Sequence, residues 1–196
     1  MEYITKISDC DNYLINYLPL TDIINLLIIN TSLKKLVSET KIYAEYLQLK
    51  KIDKNKILDY CYEKGLINIL KNYYWNGKNI IIPDGIDYAS ENGHIAVLEW
   101  FKSSGLEFRY SNYAISWASE KGNIVVLDWF KESGFEFKHS QNAIDLASLH
   151  GHISVLEWFK KSGLEFKYSD SAIDFASKNG HIAVLDWFTE SGLEFK

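Results

Sequence analysis

Histidine and aspartate are the residue types in this sequence that could perform acid–base chemistry or bind a metal ion. Six of them recur at multiples of 29 residues, namely His94, His152, His181, Asp87, Asp145 and Asp174. Neighbouring copies of a structural repeat hold such side chains too far apart to share one metal ion. A catalytic carboxylate pair is a single arrangement that is not repeated along a chain. We therefore expect these side chains to be structural, and we predict no catalytic residue, no metal site and no cofactor.

The common catalytic and nucleotide-binding motifs do not occur in the sequence. It contains no G-x-x-x-x-G-K-[ST], G-x-G-x-x-G, H-E-x-x-H or G-x-S-x-G. Cys10 and Cys61 are the only cysteines, and neither lies in a metal-binding spacing. Two isolated cysteines are typical of a reducing compartment, and no signal-peptide pattern is present. We therefore predict a cytoplasmic protein that is not an enzyme.

The charge distribution argues against nucleic acid and membrane partners. The whole chain has a formal net charge of −5. Residues 57–196 hold 13 basic and 19 acidic side chains, which is a net charge of −6. Phosphate-rich surfaces attract basic proteins, so an acidic chain is a poor match for them. We expect protein partners instead.

A stretch of 16 residues occurs four times, at a spacing of 29 residues. The copies begin at Gly93, Gly122, Gly151 and Gly180 and read GHIAVLEWFKSSGLEF, GNIVVLDWFKESGFEF, GHISVLEWFKKSGLEF and GHIAVLDWFTESGLEF. A more divergent copy begins near Leu58. The pattern predicts two short helices in each copy, for example from about Asn112 to Glu120 after a Ser111 cap, and from about 124 to 132. Such short helices need a neighbouring copy to cover their apolar faces.

The repeat predicts an all-α solenoid of stacked helix pairs. We expect a separate N-terminal helical unit at residues 1–50 and repeat units at about 57–85, 86–114, 115–143, 144–172 and 173–196, all within 51–196. In the first helix the predicted buried face comprises Ala114, Ile115, Trp117 and Ala118. In the second helix, tryptophan and phenylalanine recur at equivalent positions and predict ladders through the core.

Recognition is predicted where the copies differ while the framework stays fixed. These positions lie before the first helix and at its end. Tyrosine, histidine and asparagine are common among them, and such residues suit recognition. The predicted partner-binding residues are Tyr110, Asn112, Tyr113, His139, Gln141, Asn142, Tyr168, Asp170, Glu120, Lys121, Leu149 and His150. The alternative is that exposed positions simply drift.

The repeated segments resemble ankyrin repeats, in particular the short variety found in giant DNA viruses of amoebae. The stretch ASENGHIAVLEWFKSSG at 89–105 and its three counterparts carry the resemblance. The copies are about four residues shorter than the 33-residue ankyrin repeat. The usual Thr-Pro-Leu-His start is replaced, for example by YAIS at 113–116. The resemblance implies a protein-binding surface and, for a viral protein, the cytoplasm of the host cell.

The N-terminal segment resembles an F-box. Residues 14–40 read LINYLPLTDIINLLIINTSLKKLVSET. The resemblance implies that this segment binds a Skp-type adaptor through Leu18, Pro19, Leu20, Ile23, Ile24 and Leu27. The chain would then recruit host proteins to a cullin-type ubiquitin ligase. The alternative is a plain binding scaffold in which the N-terminal helices only cap the solenoid.

Self-association is a further expectation from the sequence. In the last copy, Trp187, Phe188 and Leu193 match residues that are expected to face a following copy elsewhere. An exposed apolar end favours end-to-end association. A homodimer through the C-terminal unit is therefore one predicted assembly.

Overall fold

The structure is a computed structural model that describes residues 57–67, 70–71 and 84–193. Every regular element within these residues is an α-helix, which confirms the all-α prediction for this part of the chain. The helices are α1 (Ile57–Glu63), α2 (Gly85–Glu91), α3 (Ile95–Ser104), α4 (Tyr113–Glu120), α5 (Ile124–Glu132), α6 (Asn142–Leu149), α7 (Ile153–Ser162), α8 (Asp170–Lys178) and α9 (Ile182–Glu190). Within the same residues, no helix is long and apolar enough to cross a membrane.

The described residues belong to two compact units. Residues 57–61, 66–67 and 70–71 lie in one, and residues 62–65 and 84–193 lie in the other. The second unit holds four helix pairs, α2–α3, α4–α5, α6–α7 and α8–α9, one for each 29-residue copy. The first helices contact each other in the order α2, α4, α6 and α8, and the second helices in the order α3, α5, α7 and α9. Each pair is therefore covered by its neighbours in sequence.

Small and branched apolar side chains form the core of this second unit. Each first helix buries an alanine completely, at Ala89, Ala118, Ala147 and Ala176. Each second helix buries a valine and a phenylalanine in its middle, for example Val126 with Phe130 and Val155 with Phe159. Complete burial of one such large side chain contributes about 1.5–3 kcal/mol. Alanine on the first helices allows close approach there, while the larger residues fill the space between second helices.

A glycine between the two helices of each pair sets the turn. Gly122 has φ +71°, and the Asn123 N–H donates to the Ala118 carbonyl at 2.8 Å. This is the hydrogen bond of a Schellman motif, which needs a residue in the left-handed region. The predicted helix end at Gly122 is thus correct. The second helix of the same pair also spans the predicted residues, Ile124–Glu132.

The tryptophan ladder has a polar function in addition to packing. Trp129 and Trp187 are buried, while Trp100 and Trp158 are half-buried. The indole Nε1 of Trp158 donates to Asp128 Oδ1 of the preceding pair at 2.6 Å. Equivalent bonds join Trp129 to Glu99 and Trp187 to Glu157. These side chains therefore fix the register between second helices as well as filling the core.

Candidate functional site

The repeated histidine position joins neighbouring helix pairs. His181 Nε2 donates to the Leu149 carbonyl at 2.9 Å, and His94 Nε2 donates to the Glu63 carbonyl at 2.8 Å. In the second described pair, Asn123 Nδ2 donates to the Glu91 carbonyl at 2.6 Å. Each side chain lies over the turn glycine of the preceding pair. No group of three or more potential metal ligands occurs among the described residues.

The repeated aspartate position forms a second connection between pairs. Asp87 is fully buried, and its Oδ1 accepts from the Ser111 N–H at 3.0 Å while its Oδ2 accepts from the Ser111 hydroxyl at 2.5 Å. Asp145 and Ser169 repeat this geometry. The serine also caps the next helix, because Ser111 Oγ accepts from the Tyr113 N–H at 3.0 Å. Burial raises the pKa of both carboxyls, and the serine hydrogen bonds partly oppose that shift.

The structure corrects one part of the predicted recognition surface. Tyr168 is only 6% exposed, and its ring packs 5.4 Å from that of Phe188. Tyr110 and His139 are half-buried against the equivalent phenylalanines, Phe130 and Phe159. Tyr110 Oη and His139 Nε2 donate to backbone carbonyls of the next loop. These three loop positions vary in sequence but serve packing between pairs, and Tyr168 offers almost no surface to a partner.

The other predicted residues lie along two edges of the first helices and keep accessible surface. At the helix starts, Tyr113 is 47% exposed, Gln141, Asn142 and Asp170 are exposed, and Asn112 is half-buried. A shallow depression of about 580 Å³ lies at this edge and includes Asn112, Gln141, Asn142 and Lys167 in its lining. Its polar rim suits hydrogen bonding to a partner.

Contacts between charged and polar side chains connect Glu120, Lys121 and His150 at the helix ends. Lys121 Nζ lies 3.4 Å from Glu91 and 3.3 Å from Glu120, and His150 Nε2 lies 3.6 Å from Glu120. The hydrogen bond to Glu120 raises the pKa of Lys121. Lys121 and His150 are exposed, whereas Leu149 is half-buried. Exposed pairs of this kind stabilise by about 0–1 kcal/mol, so these groups can exchange partners at little cost.

Between these two edges lies a row of large apolar side chains that the sequence prediction missed. Tyr88, Trp117, Leu146 and Phe175 occupy one position of α2, α4, α6 and α8 and are all half-buried. We call these four residues the apolar row. The Trp117 ring stacks on Tyr88 at 5.7 Å, and on the exposed Tyr113 at 5.0 Å. Tyr88 and Tyr113 therefore cover the Trp117 ring in part, while the rest of that ring stays accessible.

Helical geometry explains the miss at Trp117. The prediction grouped it with Ala114, Ile115 and Ala118 because the spacing is i, i+3 and i+4. Those three side chains are fully buried, whereas Trp117 is only half-buried. At 100° per residue, position 117 lies nearly opposite the middle of the arc that residues 114, 115 and 118 share with the buried Ser116 and Ser119. The available signal was the size variation of this position, since the buried positions beside it hardly vary.

The six residues predicted to bind an adaptor, within residues 18–27, lie outside the described residues. No protein-family model matches this chain, and no curated protein matches it.

Proposed function

We propose that this chain is a non-catalytic protein-binding module whose binding surface is the exposed side of its first helices. The surface comprises the apolar row, Tyr113 beside it, and the polar residues at both ends of the helices. One observation carries the proposal. Four successive helices each place a large apolar side chain at a half-buried position, so that a row of apolar groups keeps part of its surface accessible.

The internal variation supports recognition at this surface. The apolar row contains tyrosine, tryptophan, leucine and phenylalanine, while the neighbouring buried position is alanine in all four helices. Variation also occurs at the packing position of Tyr168, which is buried, whereas the members of the apolar row are both variable and partly exposed. Aromatic side chains surrounded by exposed polar groups are typical of binding hot spots. The ankyrin-like repeats of the sequence favour the same function.

A capture experiment with matched variants tests this proposal. The purified chain, the double variant Tyr88→Gln/Trp117→Gln and the control Val125→Gln are each cross-linked in cell extract, and captured proteins are quantified. Val125 is 66% exposed but lies on α5, away from the first helices. We expect the double variant to lose specific partners at least about tenfold, as hot-spot truncations do, and the control to retain them. Equal capture by all three folded proteins would refute the proposal.

A finer proposal concerns the N-terminal segment. Its resemblance to an F-box, with Leu18-Pro19-Leu20 followed by Ile23 and Ile24, favours a substrate-recruiting subunit of a cullin-type ubiquitin ligase. In that role the helix pairs would hold the target and the segment would bind a Skp-type adaptor. The competing proposal is a scaffold in which the segment only caps the helix pairs.

Size-exclusion chromatography with light scattering separates these two proposals. The full chain is run with and without a purified Skp-type adaptor, together with the variant Pro19→Ala/Ile23→Asp. A one-to-one complex that the variant loses would support the ligase role. No complex, from a chain that elutes as a folded monomer or dimer, would leave the capped scaffold.

A further inference from the structure

The pair α8–α9 exposes side chains whose equivalents in the earlier pairs are buried or, for Ile182, half-buried. Ile182 is 68% exposed, Asp174 and Ser177 are exposed, and Ile173 and Leu185 are half-buried. We call these five residues the open face. In the preceding pair the residues that match Ile173, Ser177 and Leu185 are 0% exposed, namely Ile144, Ser148 and Leu156. The next pair in sequence covers them, so the chain itself shows what kind of structure fits such a face.

The earlier junctions show which hydrogen bonds such a face makes. In all three described junctions, a carboxylate on one pair accepts from a tryptophan of the next. Lysine bonds run in the opposite direction, from Lys131 and Lys160 to carbonyls of the next pair, and the equivalent position beside the open face is Thr189. Between α6–α7 and α8–α9, the acceptors are Asp145, the Leu149 carbonyl and Glu157, and the donors are Ser169, His181 and Trp187. The equivalent acceptors beside the open face are Asp174, the Lys178 carbonyl and Asp186, all on exposed residues. The open face is therefore a surface of hydrogen-bond acceptors around exposed isoleucine and leucine.

The turn glycine supports the same conclusion. At Gly151, an added β-carbon would lie 2.8 Å from Nδ1 of His181, because that ring rests on the glycine. At Gly180, which has φ +72°, no heavy atom outside its chain neighbours lies within 4 Å of that position. Gly180 thus presents the same flat backbone platform without a ring on it. A planar, donating side chain such as histidine fits there.

We propose that the open face binds a further helix pair of the same kind, supplied by a partner polypeptide. The partner carries a serine before its first helix, a histidine or asparagine twelve residues later, and a tryptophan six residues after that. Ser169, His181 and Trp187 have this spacing. This binding site is separate from the apolar row and goes beyond the recognition function assigned to that row.

The described residues of a second copy do not supply the required donors. Among the described residues, each set with this spacing already lies inside a junction of its own chain, as Ser111, Asn123 and Trp129 do. Two open faces placed against each other would set acceptors opposite acceptors. Buried acceptors without donors cost about 1–3 kcal/mol each. The expected occupant is therefore a different helix pair with free donors, rather than a symmetric homodimer.

The sharpest test extends the full chain by one copy of residues 139–167, which places Ser140, His152 and Trp158 in register with the open face. A matched extension carries Ser140→Ala, His152→Ala and Trp158→Phe in the added copy. Hydrogen exchange of the α8 and α9 amides is measured in the natural chain and in both extended chains. We expect exchange to slow by at least about tenfold with the first extension and far less with the second. Asp174→Ala should reverse part of the slowing.

Two outcomes would overturn the proposal. Equal exchange in both extended chains would show that the donors do not dock. Concentration-dependent dimerisation of the natural chain, with protection of the same amides, would assign the open face to a second copy.

A further variant uses Thr189, which is the equivalent of Lys160 in the preceding pair. Lys160 Nζ lies 5.6 Å from the centre of the Trp187 ring in that junction. Thr189→Lys should strengthen docking of the tryptophan-bearing extension and leave the phenylalanine-bearing one less affected.

Discussion

One position of the first helix has three different environments in four copies. Asp87 and Asp145 are buried and bound to a serine of the next pair, whereas Asp174 is exposed. In the remaining copy the position is Ser116, whose buried hydroxyl has no hydrogen-bond partner within the described part of the chain. Residue type alone therefore does not determine the function of this position. The neighbouring pair determines it, because that pair supplies both the burial and the donor.

The turn glycines also allow a covered junction to be compared with the open face, and here the residue type is the same on both sides. Gly151 and Gly180 have φ values of +75° and +72°. Only Gly151 has the ring of a following histidine packed against it. The covered junctions and the open face thus differ in neighbours and not in local backbone. Matched substitutions on the two sides can separate the energy of a junction from the energy of a turn.

Substitution of the covered glycine should have the largest effect. Gly151→Ala forces a β-carbon onto left-handed backbone, which costs about 1–2 kcal/mol, and into the His181 ring, which adds about 1–3 kcal/mol. Gly180→Ala meets only the first cost. Urea unfolding of both variants measures the difference, which we expect to be at least about 1 kcal/mol. Equal losses would mean that the ring moves aside freely and that the junction is not rigid.

Removal of the buried carboxylate should have the next largest effect. Asp145→Ala takes the acceptor from the Ser169 N–H and hydroxyl, and an unsatisfied buried donor costs about 1–3 kcal/mol. Asp174→Ala makes the same change of residue at an exposed position, where the expected change is within about 0.5 kcal/mol. Unfolding free energies of the two variants provide the comparison. A similar loss at both sites would show that the serine bond contributes no stability.

The all-α character of the described residues could be predicted from the sequence, and the reason lies in its periodicity. The α5 helix has the predicted bounds because glycines mark both of its ends and an apolar face repeats four times. The junction chemistry could not be predicted in the same way. His181 and Asp145 are recognisable as repeated residues, but their partners lie 32 and 24 residues away. Only the stacking of the pairs brings those partners together.

Variation between copies predicted exposure only in part, for a related reason. Variation between copies located the helix edges, where Tyr113 and His150 are exposed. It also selected Tyr168, which is buried by Phe188, because a packing position can vary when its neighbour tolerates several rings. The last pair does expose apolar side chains, but they are not the predicted ones. Trp187 and Phe188 are buried by the pair before them, while Ile182 is exposed. Burial of these side chains depends on whether they face the preceding or the following helix pair, and the sequence periodicity does not show which.

The buried carboxylates should also make stability depend on pH. Burial raises the pKa of Asp87 and Asp145 above the ordinary value of 3.8, so the folded state binds protons that the unfolded state releases. Their contribution to stability is full below pH 3.8 and is lost as pH rises through the raised pKa. Relative to Asp87→Asn/Asp145→Asn, the natural chain should gain stability as pH falls from 7 towards 4. A constant difference between the two proteins across that range would contradict this assignment.

The smallest expected effect is a gain, and it comes from making the exceptional junction resemble the other two. Ser116→Asp places a carboxylate where Ser140 can donate to it, since the two positions have the same 24-residue separation as Asp145 and Ser169. Hydrogen bonds to a charged group contribute about 1.5–3 kcal/mol, and desolvation of the carboxylate offsets part of this, so we expect a net gain of about 1 kcal/mol. The gain should be larger at pH 5 than at pH 8, because protonation relieves the desolvation cost. The control Ser116→Ala removes a hydroxyl without a described partner and should change stability little. A loss with Ser116→Asp at both pH values would mean that the α4–α6 junction differs in geometry from the others, and not merely in one side chain.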